Sequence, residues 1–175
     1  PHVVVFPEGS LPAHTLPLAR AFARTHDAVV FAGSHTVSLS TRFWRLYKSI
    51  GVRTRNLKQL QEAGANHPNV KVVVSPNDTL LIPKALPSPF EASDVSIRRA
   101  GNRVQIETLH FRIRDLDIDV LPLLCSEALQ EYNTTGTPDI VVIPAFTPSI
   151  EPFHAPILQK TQNKIPVALC NDGTY

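Results

Sequence analysis

Asp119-Val120-Leu121-Pro122-Leu123-Leu124-Cys125-Ser126-Glu127 is the stretch on which the reading of the fold turns. A short apolar run between polar residues reads as a buried strand. It delivers one cysteine at its carboxyl end, directly before an expected helix over Glu127 to Tyr132. In open α/β sheets, reacting groups gather outside the carboxyl ends of strands. A free cysteine is ordinarily just a small buried hydrophobe, and Cys125 alone would carry no other reading. Two more ionisable residues end similar runs, however. Glu8 follows Val3-Val4-Val5-Phe6-Pro7, and Lys84 follows Leu80-Leu81-Ile82-Pro83. A carboxylate, an ammonium and a thiol presented in the same way can converge on one pocket.

Outward from these three residues, strands and helices alternate, which predicts an α/β sheet with helices packed on it. A first strand spans 3–6. A helix over Leu16 to Thr25 is expected to bury Leu16, Ala19, Phe22 and Ala23. A second strand, Ala28 to Ala32, closes at Gly33. Val70 to Val74 and Thr79 to Ile82 flank Pro76-Asn77-Asp78, a turn between two β-rich runs, and so read as a hairpin. A second hairpin is drawn from Arg103 to Phe111 and Ile118 to Leu124, with Pro122 weakening it because proline donates no ladder hydrogen bond. Asp139 to Pro144 reads as a strand, Glu151 to Asn163 as a helix burying Phe153, Ile157 and Leu158, and Ile165 to Leu169 as a last strand.

A chain of 175 residues with 43% hydrophobic and 18% charged side chains can bury one proper core, so a single domain over 1–175 is expected. No apolar run reaches bilayer length, and no basic-then-apolar signal opens the chain, so a cytoplasmic location without a membrane partner is expected. Two cysteines without a stapled-scaffold pattern read as thiols. The chain has no methionine, not even at position 1, and opens inside an expected strand, which reads as a fragment or a sequence with gaps.

Residues 36–66 fit the alternation less well. Arg42, Arg45, Lys48, Arg53, Arg55 and Lys58 accumulate among Phe43, Trp44 and Tyr47, with no acidic residue between Ala28 and Gln61. Such interleaving can mark nucleic-acid binding. No nucleic-acid motif frames it, so the preferred reading is a helical insertion whose aromatics pack inward and whose cations face water or an acidic partner; a lid over the pocket is a further reading. Seven histidines lack His-Glu-x-x-His spacing, and neither a Gly-x-Ser-x-Gly elbow nor a phosphate-cradling glycine loop is present. No metal and no cofactor are expected.

Val5-Phe6-Pro7-Glu8, Lys84 at the end of a hairpin strand, and Leu123-Leu124-Cys125-Ser126-Glu127 together resemble the Glu-Lys-Cys framework of the nitrilase (carbon–nitrogen hydrolase) superfamily. Phe31-Ala32-Gly33-Ser34, Asn69 to Lys84, Val142-Ile143-Pro144-Ala145, and Asn163 to Val167 with Asn171-Asp172-Gly173 resemble its other segments in the same order. The resemblance implies an α-β-β-α sandwich, incomplete at both termini as given, with 36–66 as an insertion. It implies Cys125 as nucleophile, Glu8 as base and Lys84 as the cation facing the oxyanion. Such a thiol is expected to need a nearby base and cationic surroundings. Glu91, in Pro89-Phe90-Glu91, resembles the accessory glutamate; Glu107 also lies between lysine and cysteine and keeps that assignment open. Glu127 occupies the acidic position two residues past the nucleophile and is given no catalytic role. Cys-Ser-Glu-Ala departs from the commoner Cys-aromatic-Asp context.

The implied activity is thiol-dependent hydrolysis of a non-peptide C–N bond, in a small-molecule amide or nitrile, through a thioester. The same triad could pass its acyl group to an amine, and a third reading is a nitrilase-like binding module without turnover. A homodimer is implied by the resemblance alone. Nucleic-acid binding through 42–58 predicts affinity that falls steeply with salt. Cys170 ends a strand too, but no glutamate-lysine order points to it, and it reads as packing near the pocket edge.

Overall fold

The computed structural model describes residues 2–35, 37–38, 40–53, 57–58, 60–61, 69–86, 104–113 and 115–173. These form a mixed α/β fold with more strand than helix. One four-stranded sheet has the order β1 (His2–Val5), β2 (Ala28–Ser34), β3 (Val70–Val74), β4 (Thr79–Pro83). The other has the order β10 (Val167–Asn171), β9 (Ile140–Ala145), β7 (Leu116–Pro122), β6 (Leu109–Ile113). A small parallel pair joins β5 (Val104–Ile106) to β8 (Tyr132–Thr134).

Strand β2 shows why its sequence is apolar throughout. Successive side chains of a strand point to opposite faces. Val30 and Ala32 enter a cluster with Leu16 and Ala23 of helix α1 (Leu16–His26) and Tyr47 of helix α2 (Thr41–Ser49). Val29 and Phe31 enter a second cluster with Val120 of β7 and Val142 of β9. The facing sides of the two sheets therefore meet there. Phe31 and Phe111 pack edge to face with ring centroids 5.8 Å apart, a geometry worth about 0.5–1.5 kcal/mol beyond its area. A third cluster packs the far side of the second sheet against Phe153 and Ile157, the latter on helix α3 (His154–Gln162).

Direction matters more than order for the site. β1 and β2 are parallel, β3 is antiparallel to β2, and β4 is antiparallel to β3. The carboxyl ends of β1, β2 and β4 thus lie at one end of the sheet, together with the amino end of β3. In the second sheet β7, β9 and β10 run in parallel, so their carboxyl ends also gather.

Several expectations are corrected. The second hairpin is Leu109–Ile113 with Leu116–Pro122, while Val104–Ile106 leaves to pair with Tyr132–Thr134. Pro122 is tolerated because β6 stops at Leu109, opposite Val120, so no partner on that side asks for its N–H. No helix runs from Glu127 to Tyr132; a 3-10 turn covers Cys125–Leu129 and β8 follows. On α1 the buried face is Leu16, Arg20 and Ala23, and Phe22 is 41% exposed against His26. Arg20 goes inward because its guanidinium reaches Thr79 Oγ1 at 3.1 Å and the Asn77 carbonyl. On α3, Leu158 is exposed.

Within 36–66, the described residues are knitted into the first cluster. Tyr47, Ile50, Val52, Leu57 and Leu60 are buried, Phe43 and Trp44 pack against them, and Arg42, Arg45, Lys48, Arg53 and Lys58 are exposed. Arg55 lies outside the described residues. Among the described residues no helix is long and apolar enough to cross a membrane.

Candidate active site

Glu8 sits just past β1, where the Glu8 N–H donates to the Ala145 carbonyl at 3.3 Å and the Gly9 N–H to the Gly33 carbonyl at 3.0 Å. Gly9 takes φ +79°, a left-handed conformation that glycine adopts without steric cost. Gly33 serves by what it lacks. A Cβ there would come within 2.9 Å of Glu8 Cα and Cγ and 2.7 Å of Leu124 Cδ1, so glycine lets the Glu8 loop and the Cys125 turn close over β2.

Lys84 follows β4, its N–H donating to the Asn69 carbonyl at 2.9 Å. Its ammonium lies 3.2 Å from Glu8 Oε1, and both residues are buried, at 3% and 6% exposure. Asn69 Nδ2 donates to the same oxygen at 2.7 Å, and His35 Nε2 lies 3.8 Å from it at a half-exposed position. Cys125 arrives from the opposite sheet, after β7, with Leu123 N–H held by the Val142 carbonyl at 2.9 Å. Its thiol feels the charges of both Glu8 and Lys84 and donates weakly to the Phe146 carbonyl at 3.9 Å. Glu8, Lys84 and Cys125 therefore share one place. Glu91 lies outside the described residues, and Glu107 is exposed between β5 and β6.

Cys125 has φ +47°. For a residue with a Cβ this region is sparsely populated and costs of order 1–3 kcal/mol, and such strain clusters at functional sites. Its thiol is pushed up to about 11, first by burial and then by the negative charge of Glu8, against which Lys84 pulls only partly. Of the cationic surroundings expected for such a thiol, Lys84 supplies one charge, which burial and Glu8 outweigh. Burial penalises the charged form, and the carboxylate beside it offsets the ammonium. At neutral pH the thiol keeps its proton, next to the group placed to receive it.

No family model matches the chain, and no curated protein matches it in sequence. In fold it is similar to an N-terminal amidase carrying a cysteine-to-serine substitution, with TM-score 0.51 and 11% identity over 93% of this chain and 42% of that one. It is also similar to an N-terminal amidase with a Gln-Gly peptide, with TM-score 0.50 and 11% identity over 94% of this chain and 44% of that one. At that identity the likeness is one of fold, and the chain spans less than half the length of those amidases.

The structure adds residues that the sequence reading passed over. Asn69 and Lys71 lie at the amino end of β3, which the antiparallel hairpin brings back to the carboxyl ends of β1, β2 and β4. Lys71 Nζ contacts both oxygens of Glu127, at 3.2 and 3.1 Å. Glu127 Oε1 accepts from the Ala85 N–H at 2.6 Å and Oε2 from the Leu124 N–H at 2.7 Å. Glu127 is fully buried, and its carboxylate on the Leu124 N–H caps the 3-10 turn; the expected helix goes no further because the chain turns extended at Gln130 and Tyr132–Thr134 pairs with Val104–Ile106. A signal was available in the predicted hairpin, whose register in the structure sets Lys71 opposite Ile82, two residues from Lys84. His35, just past β2, follows the same strand-end rule as Glu8.

Cys170 lies within β10 opposite Pro144, and both cysteines are free thiols. Burial, with the charge of Asp172, raises the Cys170 thiol.

Proposed function

We propose that this chain carries the core of a thiol-dependent hydrolase of non-peptide C–N bonds, with an amide as the favoured substrate and a nitrile as the related one. The single observation that carries the reading is a strained, half-buried cysteine at a strand end, facing a buried glutamate–lysine pair from the opposite sheet. The likeness to N-terminal amidases in fold supports it, as does packing of two sheets face to face with helices on their far sides. On this reading the architecture is the nitrilase-type α-β-β-α sandwich, in one domain.

In the proposed reaction, Cys125 Sγ attacks the amide carbon while Glu8 removes the thiol proton. The carbonyl electrons move to oxygen, where the Lys84 ammonium faces the developing charge. The C–N bond then breaks, Glu8 returns the proton to the leaving nitrogen, and a thioester remains on Cys125. Water attacks the thioester carbon as Glu8 takes its proton, and the C–S bond breaks with that proton passing from Glu8 to sulfur, which releases the carboxylic acid and restores the thiol and the base. A thiol that holds its proton at neutral pH suits such a cycle, because the base acts during attack. Glu91 is proposed as the accessory carboxylate, on the resemblance of its surroundings alone.

Intact-mass analysis after incubation with a panel of small amides, nitriles and activated esters tests the reading. The expected result is an acyl adduct on Cys125 that is absent in Cys125→Ala. A panel that leaves the mass of the chain unchanged, or that acylates Cys170 in preference, overturns it.

A further inference from the structure

We propose that Glu127 and Lys71 are positioning residues, a buried clamp that fixes the distance between Lys84 and Cys125. This rests on the functional reading above. The carboxylate of Glu127 reaches two segments at once. One oxygen accepts from the N–H of Ala85, the residue after Lys84, and the other from the N–H of Leu124, the residue before Cys125. Lys71 contacts both oxygens and balances the charge. The two segments belong to different sheets, β4 to one and β7 to the other, and this carboxylate is a hydrogen-bonded bridge between them.

Two arguments favour positioning over bulk stability. A buried ion pair is weak support for a fold, because well-packed apolar residues of similar volume often serve as well or better. Such residues could not accept two backbone N–H groups from separate loops, so the feature retained here is the one that apolar packing cannot supply. In addition, Cys125 is held at φ +47°, and a strained residue persists only where its surroundings over-determine it. Two hydrogen bonds between Glu127 and Leu124, one from the Leu124 N–H to the carboxylate at 2.7 Å and one from the Glu127 N–H to the Leu124 carbonyl at 3.1 Å, close the turn that carries the strain.

The test compares the unaltered chain with Lys71→Met/Glu127→Gln, which removes the bridge without leaving a lone buried charge. Acetylation of Cys125 by p-nitrophenyl acetate is followed by peptide mass analysis, and the pH dependence of iodoacetamide alkylation is followed separately at Cys125 and Cys170. With circular dichroism unchanged, the expected result is acetylation slowed about a hundredfold, the scale of a misplacement near 1 Å. The Cys125 alkylation profile should also shift, because its distances to Glu8 and Lys84 have changed, while that of Cys170 stays put. A purely structural role would leave the Cys125 profile unmoved in the folded chain. A folded double variant with parental acetylation rate and profile overturns the clamp. If the double variant does not fold, Glu127→Asp retains the charge but is one methylene too short to span both N–H groups; acetylation slowed to the same degree supports the clamp, and a parental rate overturns it. An unaltered chain that takes no acetyl group on Cys125 overturns the functional reading, and the clamp with it.

Discussion

Two glutamate–lysine pairs are buried, Glu8 with Lys84 and Glu127 with Lys71, and their nitrogen–oxygen distances are nearly equal at 3.2 and 3.1 Å. They differ in what else the carboxylate touches. Both oxygens of Glu127 are taken by backbone N–H groups and by Lys71. The partners of Glu8 are side chains, Asn69, Lys84 and the ionisable Cys125 and His35. Charge and burial alone thus do not separate the proposed base from the proposed clamp. The chemistry of the remaining partners does.

Substitutions that treat the pairs unequally probe this contrast. Glu8→Gln keeps the shape and one hydrogen-bond acceptor but removes the base. Acylation of Cys125 is expected to fall by about 10²–10⁴-fold, while the thiol titrates at lower pH because a negative charge beside it has gone; an unchanged acylation rate would erase the difference between the pairs. Lys71→Met leaves Glu127 buried without its cation, and urea denaturation should report a loss of about 3–5 kcal/mol, most of it recovered on adding Glu127→Gln. Gly33→Ala forces a Cβ against Glu8 and Leu124. Overpacking of about 1–3 kcal/mol is expected, with acylation lowered as well because the intrusion falls between the two loops.

The pH dependence of stability sharpens the contrast further. The Cys125 thiol is raised to about 11 in the folded chain by burial and by Glu8, whereas an unfolded cysteine titrates near about 8.5. The unfolded chain therefore loses this proton first, so stability is full below about pH 8.5 and declines as pH rises towards 11. Cys125→Ser should flatten that part of the curve in denaturation experiments, and an unaltered slope would show that the thiol is not held neutral. The smallest effect is expected at the exposed Arg53–Asp78 pair. Arg53→Ala should change stability by less than about 1 kcal/mol, and added salt should shrink the difference.

Much of this could be read along the chain. The apolar runs ending in Glu8, Lys84 and Cys125 mark strands by their composition alone, although β1 is only partly buried, and the Pro76-Asn77-Asp78 turn announces its hairpin. Errors fell where a distant group overrode a local pattern. Phe22 has the helical spacing of a core residue, yet Arg20 takes the inward place because Thr79 and Asn77, far along the chain, satisfy its guanidinium. Glu127 to Tyr132 has the residues for a helix, yet it ends after one 3-10 turn because Tyr132–Thr134 is drawn into a ladder with Val104–Ile106.

The sequence by itself determined which residues end the strands and therefore which could meet, because side-chain alternation and turn chemistry act over a few residues. Only the tertiary structure decided that Lys71 joins Glu127 rather than the thiol, that Asn69 steadies Glu8, and that Cys125 remains protonated. Those outcomes depend on which charges and N–H groups from remote segments surround a buried side chain, and no pattern within a single strand or helix contains that information.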